Sequence, residues 1–208
     1  MLKYLTGFVG ILVCSSIHVI QHDSMKCKEY GGAYHIVSTS LNEKIKRNGT
    51  SLIIGAHTGA IASDFVWTIL SEKSASIEKI FVEPIPFNFM KLKQNAKTLA
   101  NTKLIQAAAV TDEGVARLSI FCTGVYENGT KVNGFPWWTD QICSTNRDRL
   151  FHEHDINNSE KLTKERIEEH IIKYDVPAIA VSMLFREHVT NEILFFSCDV
   201  EGLDHMVR

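Results

Sequence analysis

Three mainly apolar segments, separated by stretches of helical periodicity, constrain the fold of this 208-residue chain more than any other feature. Residues 51–54, 77–82 and 103–110 are runs of the kind found in buried parallel strands. Between them, residues 60–70 and 88–99 place their apolar side chains at helical spacing. Strands that alternate with helices at such short intervals predict the α/β fold class. The expected architecture is a Rossmann-like, doubly wound, mainly parallel sheet with helices on both faces.

The remaining sequence predicts smaller additions to this sheet. They are a strand over 115–121, a loop-rich stretch over 122–160, helices over 162–174 and 181–188, and a strand over 192–198. A chain of 208 residues has room for one domain with a substantial hydrophobic core. Its formal net charge of -2 offers no basic excess for nucleic acid, so a small molecule or a neutral polymer is the expected partner.

The first twenty residues differ in character from the rest. Lys3 is followed by an apolar stretch over residues 5–20 that small and polar residues dilute. A transmembrane helix needs roughly 20 mainly apolar residues, and this stretch is shorter. A basic start and a short apolar centre predict a signal peptide or signal anchor over 1–20, followed by a connector over 21–50. The chain is then expected in the secretory pathway, lumenal or membrane-anchored. A buried helix of a cytoplasmic protein is the alternative.

The cysteines and the glycosylation patterns bear on the same question. Four cysteines follow the first twenty residues, and no two of them have the CxxC spacing of a zinc site, so no metal is expected. One disulfide, for example between Cys122 and Cys143, would suit an oxidising compartment, but the sequence does not determine the pairing. Three N-glycosylation acceptor patterns are compatible with secretion: Asn48-Gly49-Thr50, Asn128-Gly129-Thr130 and Asn157-Asn158-Ser159.

The turn after the first predicted strand reads Gly55-Ala56-His57-Thr58-Gly59. Ligands of open α/β sheets bind beyond the carboxyl ends of the strands, where this turn lies. Its glycines permit a tight bend and a close approach of the backbone to a ligand. His57 replaces the second glycine of a GxGxxG sequence, which argues against a nicotinamide-dependent oxidoreductase. A smaller anion, such as an amino-acid carboxylate at the following helix N-terminus, fits better. A turn with only a packing role is the alternative.

Further acidic residues are expected at the same edge of the sheet. Glu83 ends the second strand, where a carboxylate can accept hydrogen bonds from the hydroxyls of a ribose, and Pro84 keeps its backbone extended. Asp199 and Glu201 follow the last strand, and residues two apart in an extended segment point to one face. One of this pair can act as general base for a hydroxyl. The alternative for Glu83 is a solvated acidic residue at a strand end. For the pair, the alternative is that Glu201 only caps a helix starting at Gly202 and that Asp199 alone matters.

Two other features are weaker candidates for a site. His152-Glu153-His154 resembles a pair of metal ligands, but it lies in a predicted polar loop without a clear third ligand, so a solvated loop is expected. Trp137-Trp138 can stack on a sugar or another flat substrate, or can pack over the sheet as a flap.

Four segments, taken together, resemble the motifs of a known family. They are Leu52-Ile53-Ile54-Gly55-Ala56-His57-Thr58-Gly59, Phe81-Val82-Glu83-Pro84, Gln106-Ala107-Ala108-Ala109-Val110-Thr111-Asp112, and Phe196-Ser197-Cys198-Asp199-Val200-Glu201-Gly202. In order and spacing they are similar to the motifs of FkbM-like class I S-adenosylmethionine-dependent methyltransferases. The similarity covers about residues 51–208, which form the predicted methyltransferase domain.

The resemblance implies S-adenosylmethionine as cofactor and assigns residues to its parts. The glycine turn would lie near the methionine part, Glu83 would bind the ribose, and the alanines of the third motif would border the adenine. The implied cofactor-binding residues are Gly55, Ala56, His57, Gly59, Glu83, Pro84, Ala107, Ala108 and Asp199. Asp199 and Glu201 are the catalytic candidates. Because family members typically methylate oxygen, O-methylation of a small hydroxylated or glycan-like acceptor is the expected activity.

Departures from the family pattern motivate a second hypothesis. The family usually has an acidic residue at the position of Ile53, and an aspartate in the stretch that here reads Val181-Ser182-Met183-Leu184. The final strands of a complete methyltransferase sheet would lie beyond Arg208, so the domain is expected to be truncated at its C-terminus. The alternative function is therefore a non-catalytic S-adenosylmethionine-binding pseudoenzyme or interaction module with the same fold.

Overall fold

A computed structural model describes the central part of the chain. The described residues are 11–14, 48–59, 67, 70, 77–124, 126–127, 130–131, 135, 142–156 and 163–198. Together they form an α/β fold built on a mainly parallel sheet. Within these residues, no helix has the length and apolar character that crossing a membrane requires.

The described elements are eleven strands, four α-helices and one 3₁₀ turn. The strands are β1 (Ile11–Cys14), β2 (Gly49–Ile54), β3 (Ile77–Val82), β4 (Thr102–Ile105), β5 (Ala108–Val110), β6 (Arg117–Thr123), β7 (Tyr126–Glu127), β8 (Thr130–Lys131), β9 (Cys143–Ser144), β10 (Ile171–Ala180) and β11 (Ile193–Cys198). The helices are α1 (Pro86–Asn95), α2 (Arg147–Ile156), α3 (Lys164–Glu169) and α4 (Val181–His188), and a 3₁₀ turn over Ala96–Thr98 extends α1.

The first sheet contains five parallel strands in the order β1-β11-β2-β3-β4. Alternate side chains of its strands point to opposite faces and fill two hydrophobic clusters. On one face, Ile53, Phe81 and Phe195 pack with Leu92 of α1. On the other face, a second cluster is closed by Leu184 of α4. The apolar runs of β2 and β3 are thus buried on both faces, as expected of central strands in a parallel sheet.

A second sheet has four strands in the order β5-β10-β6-β9. The long strand β10 pairs antiparallel with β6 over 171–177 and then parallel with β5 over 178–180. Its core contains Ile120 and Val176, and it also takes up Ile85, which follows β3 of the first sheet. The segment between β3 and α1 therefore connects the two sheets. The third sheet is the hairpin of β7 and β8.

A disulfide links the second sheet internally. Cys122 of β6 and Cys143 of β9 lie opposite each other in the antiparallel pair, with their Cα atoms 4.2 Å apart, and their sulfurs are bonded. The sequence suggested this pairing as one possibility without determining it, and the structure shows that it forms. The crosslink attaches the short strand β9 to a strand that belongs to the domain's core.

Several predicted elements are confirmed, and two are wrong. Strands over 51–54, 77–82 and 192–198 and the helix over 181–188 all appear with small shifts in their bounds. The predicted single strand over 103–110 is instead two strands, β4 and β5, which belong to different sheets. The predicted helix over 162–174 ends at Glu169, because Ile171 onward pairs as β10.

The N-terminal prediction stays a prediction. Residues 11–14 of the predicted targeting segment form β1, which pairs in parallel with β11 at one edge of the first sheet. The predicted connector over 21–50 falls mostly outside the described residues, as does most of the helix predicted over 60–70. Of that helix, Trp67 and Leu70 are helical, and both pack in the cluster that contains Ile53.

Candidate functional site

The glycine turn leaves β2 at the carboxyl edge of the parallel sheet. Gly55, His57 and Gly59 have positive φ angles of 79°, 49° and 77°. Side chains disfavour this left-handed region, which glycine adopts without penalty and which costs a histidine free energy. The chain thus makes the tight bend that the glycines of the sequence predict, and His57 takes one of the left-handed positions.

Backbone hydrogen bonds hold this turn in place. The N–H groups of Gly55 and Ala56 both donate to the carbonyl oxygen of Val82, at 2.9 and 3.0 Å, and Gly59 N–H donates to Ala56 O at 3.0 Å. His57 N–H donates to Glu83 Oε2 at 2.8 Å. These donors are therefore used within the protein. The helix whose N-terminus is expected to bind an anion is predicted over 60–70, and its first residues lie outside the described part of the chain.

Glu83 lies next to the turn at the end of β3. Its second carboxylate oxygen, Oε1, accepts a hydrogen bond from Ile85 N–H at 2.9 Å, and the side chain of Asn88 also donates to this carboxylate. Only 4% of Glu83 is exposed. Burial raises the pKa of Glu83 to about 7, and the hydrogen bonds from Ile85, His57 and Asn88 partly oppose this rise. The carboxylate therefore joins three segments: the glycine turn, the link to α1, and α1 itself.

This arrangement limits what Glu83 can offer a ligand. A carboxylate has about four acceptor positions, and three donors already occupy Glu83. One position is left for a ribose hydroxyl, where the sequence suggested that both hydroxyls could be bound. The main role of Glu83 is thus to position the turn, and contact with a ligand is a secondary role.

A second polar contact reaches the turn from α1. Asn95, in the last turn of that helix, donates from Nδ2 to the carbonyl oxygen of Thr58 at 2.8 Å. Asn88 and Asn95 both lie on the helix face that meets the sheet, and the sequence alone did not single out either residue. Amides on a lysine-rich helix normally face solvent, and only the tertiary structure reveals their partners.

Asn95→Ala should lower the free energy of unfolding by about 1 kcal/mol, because the Thr58 carbonyl loses its side-chain donor. Chemical denaturation of the purified variant measures this change. The control is Gln94→Ala, a neighbouring residue of α1 that is exposed. Equal effects of the two substitutions would show that the Asn95–Thr58 bond contributes nothing to the stability of the turn.

Gly59 combines the bend with close packing. A Cβ atom at this position would lie 2.5 Å from Cζ3 of Trp67 and 2.6 Å from Cδ1 of Leu92. Both neighbours belong to the buried cluster on that face of the sheet. Glycine is therefore required here for backbone conformation and for space at the same time.

The residues predicted to border the adenine lie at the junction of the two sheets. Ala107 and Ala108 are buried, and Ala108 packs in the core of the second sheet with Ile85. The carbonyl oxygen of Ile105, at the end of β4, accepts a hydrogen bond from Glu83 N–H at 3.1 Å. The junction is therefore adjacent to Glu83, although the Ala108 side chain itself serves the second sheet. Pro84 is half-buried.

The other predicted site residues lie either outside the described residues or in an element other than the predicted one. Asp199 and Glu201 lie outside the described residues, and so does Trp137-Trp138. The strand that leads to Asp199, β11, ends at Cys198, which pairs with Ile54 just before the glycine turn. His152, Glu153 and His154 lie in α2 rather than in the predicted loop. Among the residues that the structure describes, no three His, Cys, Asp or Glu side chains form a group able to hold a metal.

The described site therefore consists of a tight glycine turn, a buried carboxylate that is hydrogen-bonded to it, and two amides that support both. Comparisons with known proteins add no family to this picture: no protein-family model matches the chain, and no curated protein or solved structure matches it significantly.

Proposed function

We propose that this chain is an S-adenosylmethionine-dependent methyltransferase that methylates an oxygen of a small hydroxylated or glycan-like acceptor. The observation that carries the proposal is the 2.8 Å hydrogen bond between His57 N–H and Glu83 Oε2, at the carboxyl ends of adjacent strands. The FkbM-like motifs in the sequence point to the same two positions. The order of the motifs in the sequence and the contact between these two positions in the fold are independent observations, and both support the proposal.

The strand order supports a ligand at this position. From β2 the sheet runs through β3 to β4 in one direction, while β11 lies on the other side of β2. The connectivity thus reverses between β2 and β11, and open α/β sheets bind their ligands beside such a reversal. Helices α1 and α4 contribute to the clusters on opposite faces, which favours the Rossmann-like, doubly wound architecture.

The described residues fit an adenosyl ligand in two respects. Gly55 is partly exposed and has no side chain, so a nucleoside can approach the backbone of the turn closely there. Glu83 keeps about one acceptor position for a ribose hydroxyl. S-adenosylmethionine, when bound, supplies a methyl group on a sulfonium.

The chain's own residues have separate tasks in this proposal. Glu83 fixes the turn and binds the ribose, and Ala107 borders the adenine. Asp199, with Glu201 beside it in the sequence, takes the proton from the acceptor hydroxyl. Holding the reactants in line supplies much of the acceleration in such a transfer.

Above pH 7, where Glu83 is ionised, Glu83→Ala should weaken binding of S-adenosylhomocysteine by about 1–3 kcal/mol, the usual effect of removing a buried charged hydrogen-bond partner. Isothermal titration calorimetry of the wild type and the variant measures this difference. The free energy of unfolding is measured in parallel, because the same substitution removes the partner of His57 N–H and Ile85 N–H.

Two further variants make this result interpretable. Glu78→Ala removes another hydrogen-bonded carboxylate from β3, at the opposite end of that strand, and should leave S-adenosylhomocysteine binding unchanged. Glu83→Gln keeps the shape and one acceptor oxygen, and should lose less affinity than Glu83→Ala. A wild-type protein that binds no S-adenosylhomocysteine would overturn the proposed function.

A non-catalytic module that binds the same cofactor is the second candidate. Ile53 favours it, because this residue is buried in the hydrophobic cluster at the position where the family usually has an acid. Measuring cofactor binding and methyl release separately distinguishes the two functions. Binding without turnover, over a panel of hydroxylated acceptors, would identify the pseudoenzyme.

We also propose that the domain acts in the secretory pathway. The disulfide between Cys122 and Cys143 supports this location, since such bonds persist in oxidising compartments. The predicted targeting segment over 1–20 agrees with it.

A further inference from the structure

We infer that Asn48 carries an N-linked glycan, and that the glycan is attached before β2 joins the parallel sheet. The inference rests on the proposed lumenal location of the chain. It concerns the edge of the sheet opposite to the proposed cofactor site, and no step of the proposed methyl transfer depends on it.

Asn48 is placed where a glycan can be accommodated. It is exposed and directly precedes β2, at the amino edge of the sheet. It lines a cleft of about 560 Å³ whose other walls include Glu78, Asn101, Lys103 and Asn191. An attached sugar would thus meet polar side chains and solvent. It would lie at the opposite end of β2 from the glycine turn, so the proposed cofactor site would stay open.

The rest of the acceptor pattern is inaccessible in the folded protein. Thr50 is fully buried, its hydroxyl donates to Glu78 Oε2 at 2.9 Å, and its N–H donates to Glu192 O at 2.8 Å. Gly49 packs against Leu194 so closely that a Cβ atom would lie 2.3 Å from its Cγ. Because the pattern requires a hydroxyl residue at the position of Thr50, that hydroxyl must be reachable when the glycan is transferred. Transfer therefore has to precede the pairing of β2 with β3 and β11.

The covalent step uses a lipid-diphosphate-linked oligosaccharide, which the host's transferase supplies. The amide nitrogen of Asn48 forms a bond with the anomeric carbon of the first sugar. The bond between that carbon and the diphosphate oxygen breaks, and the lipid diphosphate leaves with the bonding electrons. One amide proton is lost to a base of the transferase. No oxidation or reduction takes place.

The first test follows modification of the full chain during synthesis in the presence of endoplasmic-reticulum microsomes. Protease protection reports entry into the lumen, and peptide mass spectrometry after amidase deglycosylation reports conversion of Asn48 to aspartate. We expect protected chains to be modified at Asn48, Asn48→Gln to lose this modification, and Asn101→Gln, in the same cleft, to keep it. Protected chains whose Asn48 is unmodified would overturn the inference.

The second test addresses the timing. Full chain produced without glycosylation is offered to solubilised oligosaccharyltransferase and its lipid-linked donor, either folded or freshly diluted from denaturant. We expect modification of Asn48 only in the unfolded sample. Equal modification of the folded sample would overturn the inference that the glycan is transferred before β2 joins the sheet. Chains that are not protected in the first test would overturn both the lumenal location and the glycan. The S-adenosylhomocysteine titration tests the methyltransferase proposal separately.

Discussion

Gly59→Val is expected to lower the free energy of unfolding by about 3–5 kcal/mol, the largest effect predicted for a single substitution in this domain. Two independent penalties combine. Valine is β-branched and strongly disfavours the φ of 77° at this position. Its Cβ would also lie within 2.6 Å of Trp67 and Leu92, which pack in the same hydrophobic cluster, and close-packed interiors accommodate added atoms poorly.

Denaturant unfolding followed by tryptophan fluorescence measures this loss. Gly114→Val is the matched control, because Gly114 is exposed and a Cβ there would meet only the flexible side chain of Asp112, at 3.2 Å. The control should change the free energy of unfolding by about 1 kcal/mol or less. If both variants lose the same small amount, Gly59 has neither of the roles that the structure assigns to it.

Between about pH 4.5 and pH 7, the wild-type protein should lose stability on the order of 3 kcal/mol relative to Glu83→Gln. In the unfolded chain Glu83 ionises near its ordinary pKa of 4.5, whereas burial raises its pKa to about 7 in the folded protein. In this interval the folded state binds a proton that the unfolded state has lost. Each increase in pH therefore favours unfolding, and the loss is complete above about pH 7.

The measurement is the free energy of unfolding of both proteins across this pH range. Hydrogen bonds lower the pKa values of Glu113, Glu165 and Asp175, so these groups make the folded state less stable as the pH falls. Their effect has the opposite sign and is common to both proteins, so it cancels in the difference. Stability curves that run parallel over the whole range would contradict the raised pKa of Glu83.

The sequence predicts the sheet well where a strand is buried on both faces. The strand over 77–82 and the helix over 181–188 have the predicted bounds, because apolar runs and helical spacing report burial directly. The prediction of one strand over 103–110 is wrong for a different reason. A mainly apolar stretch indicates extended structure, but it does not show that the chain changes sheets at Gln106 and Ala107.

The strand β10 shows a second limit of sequence patterns. The charged stretch before it has helical character, and α3 does form over Lys164–Glu169. From Ile171 onward the chain pairs with β6 on one side, and then with β5 on the other. Those partners are some 50 to 70 residues earlier in the chain, so no local pattern reports them, and tertiary pairing overrides local propensity.

The candidate site was predictable in its position and not in its internal contacts. The glycine turn and Glu83 were expected at one edge because parallel strands end on the same side, and the hydrogen bond from His57 N–H confirms that they are adjacent. The contribution of Asn88 and Asn95 could not be anticipated. An asparagine on a helix has the same sequence signature whether it faces solvent or supports a buried carboxylate.

The position of β1 has a consequence for how the protein behaves if its first residues are removed. Ile11–Cys14 covers the outer side of β11 with a row of parallel hydrogen bonds. Proteolytic loss of that segment would leave the backbone amides and carbonyls on the outer side of β11 without these partners. β11 would then be an exposed edge strand, and such strands readily pair with a strand of another molecule.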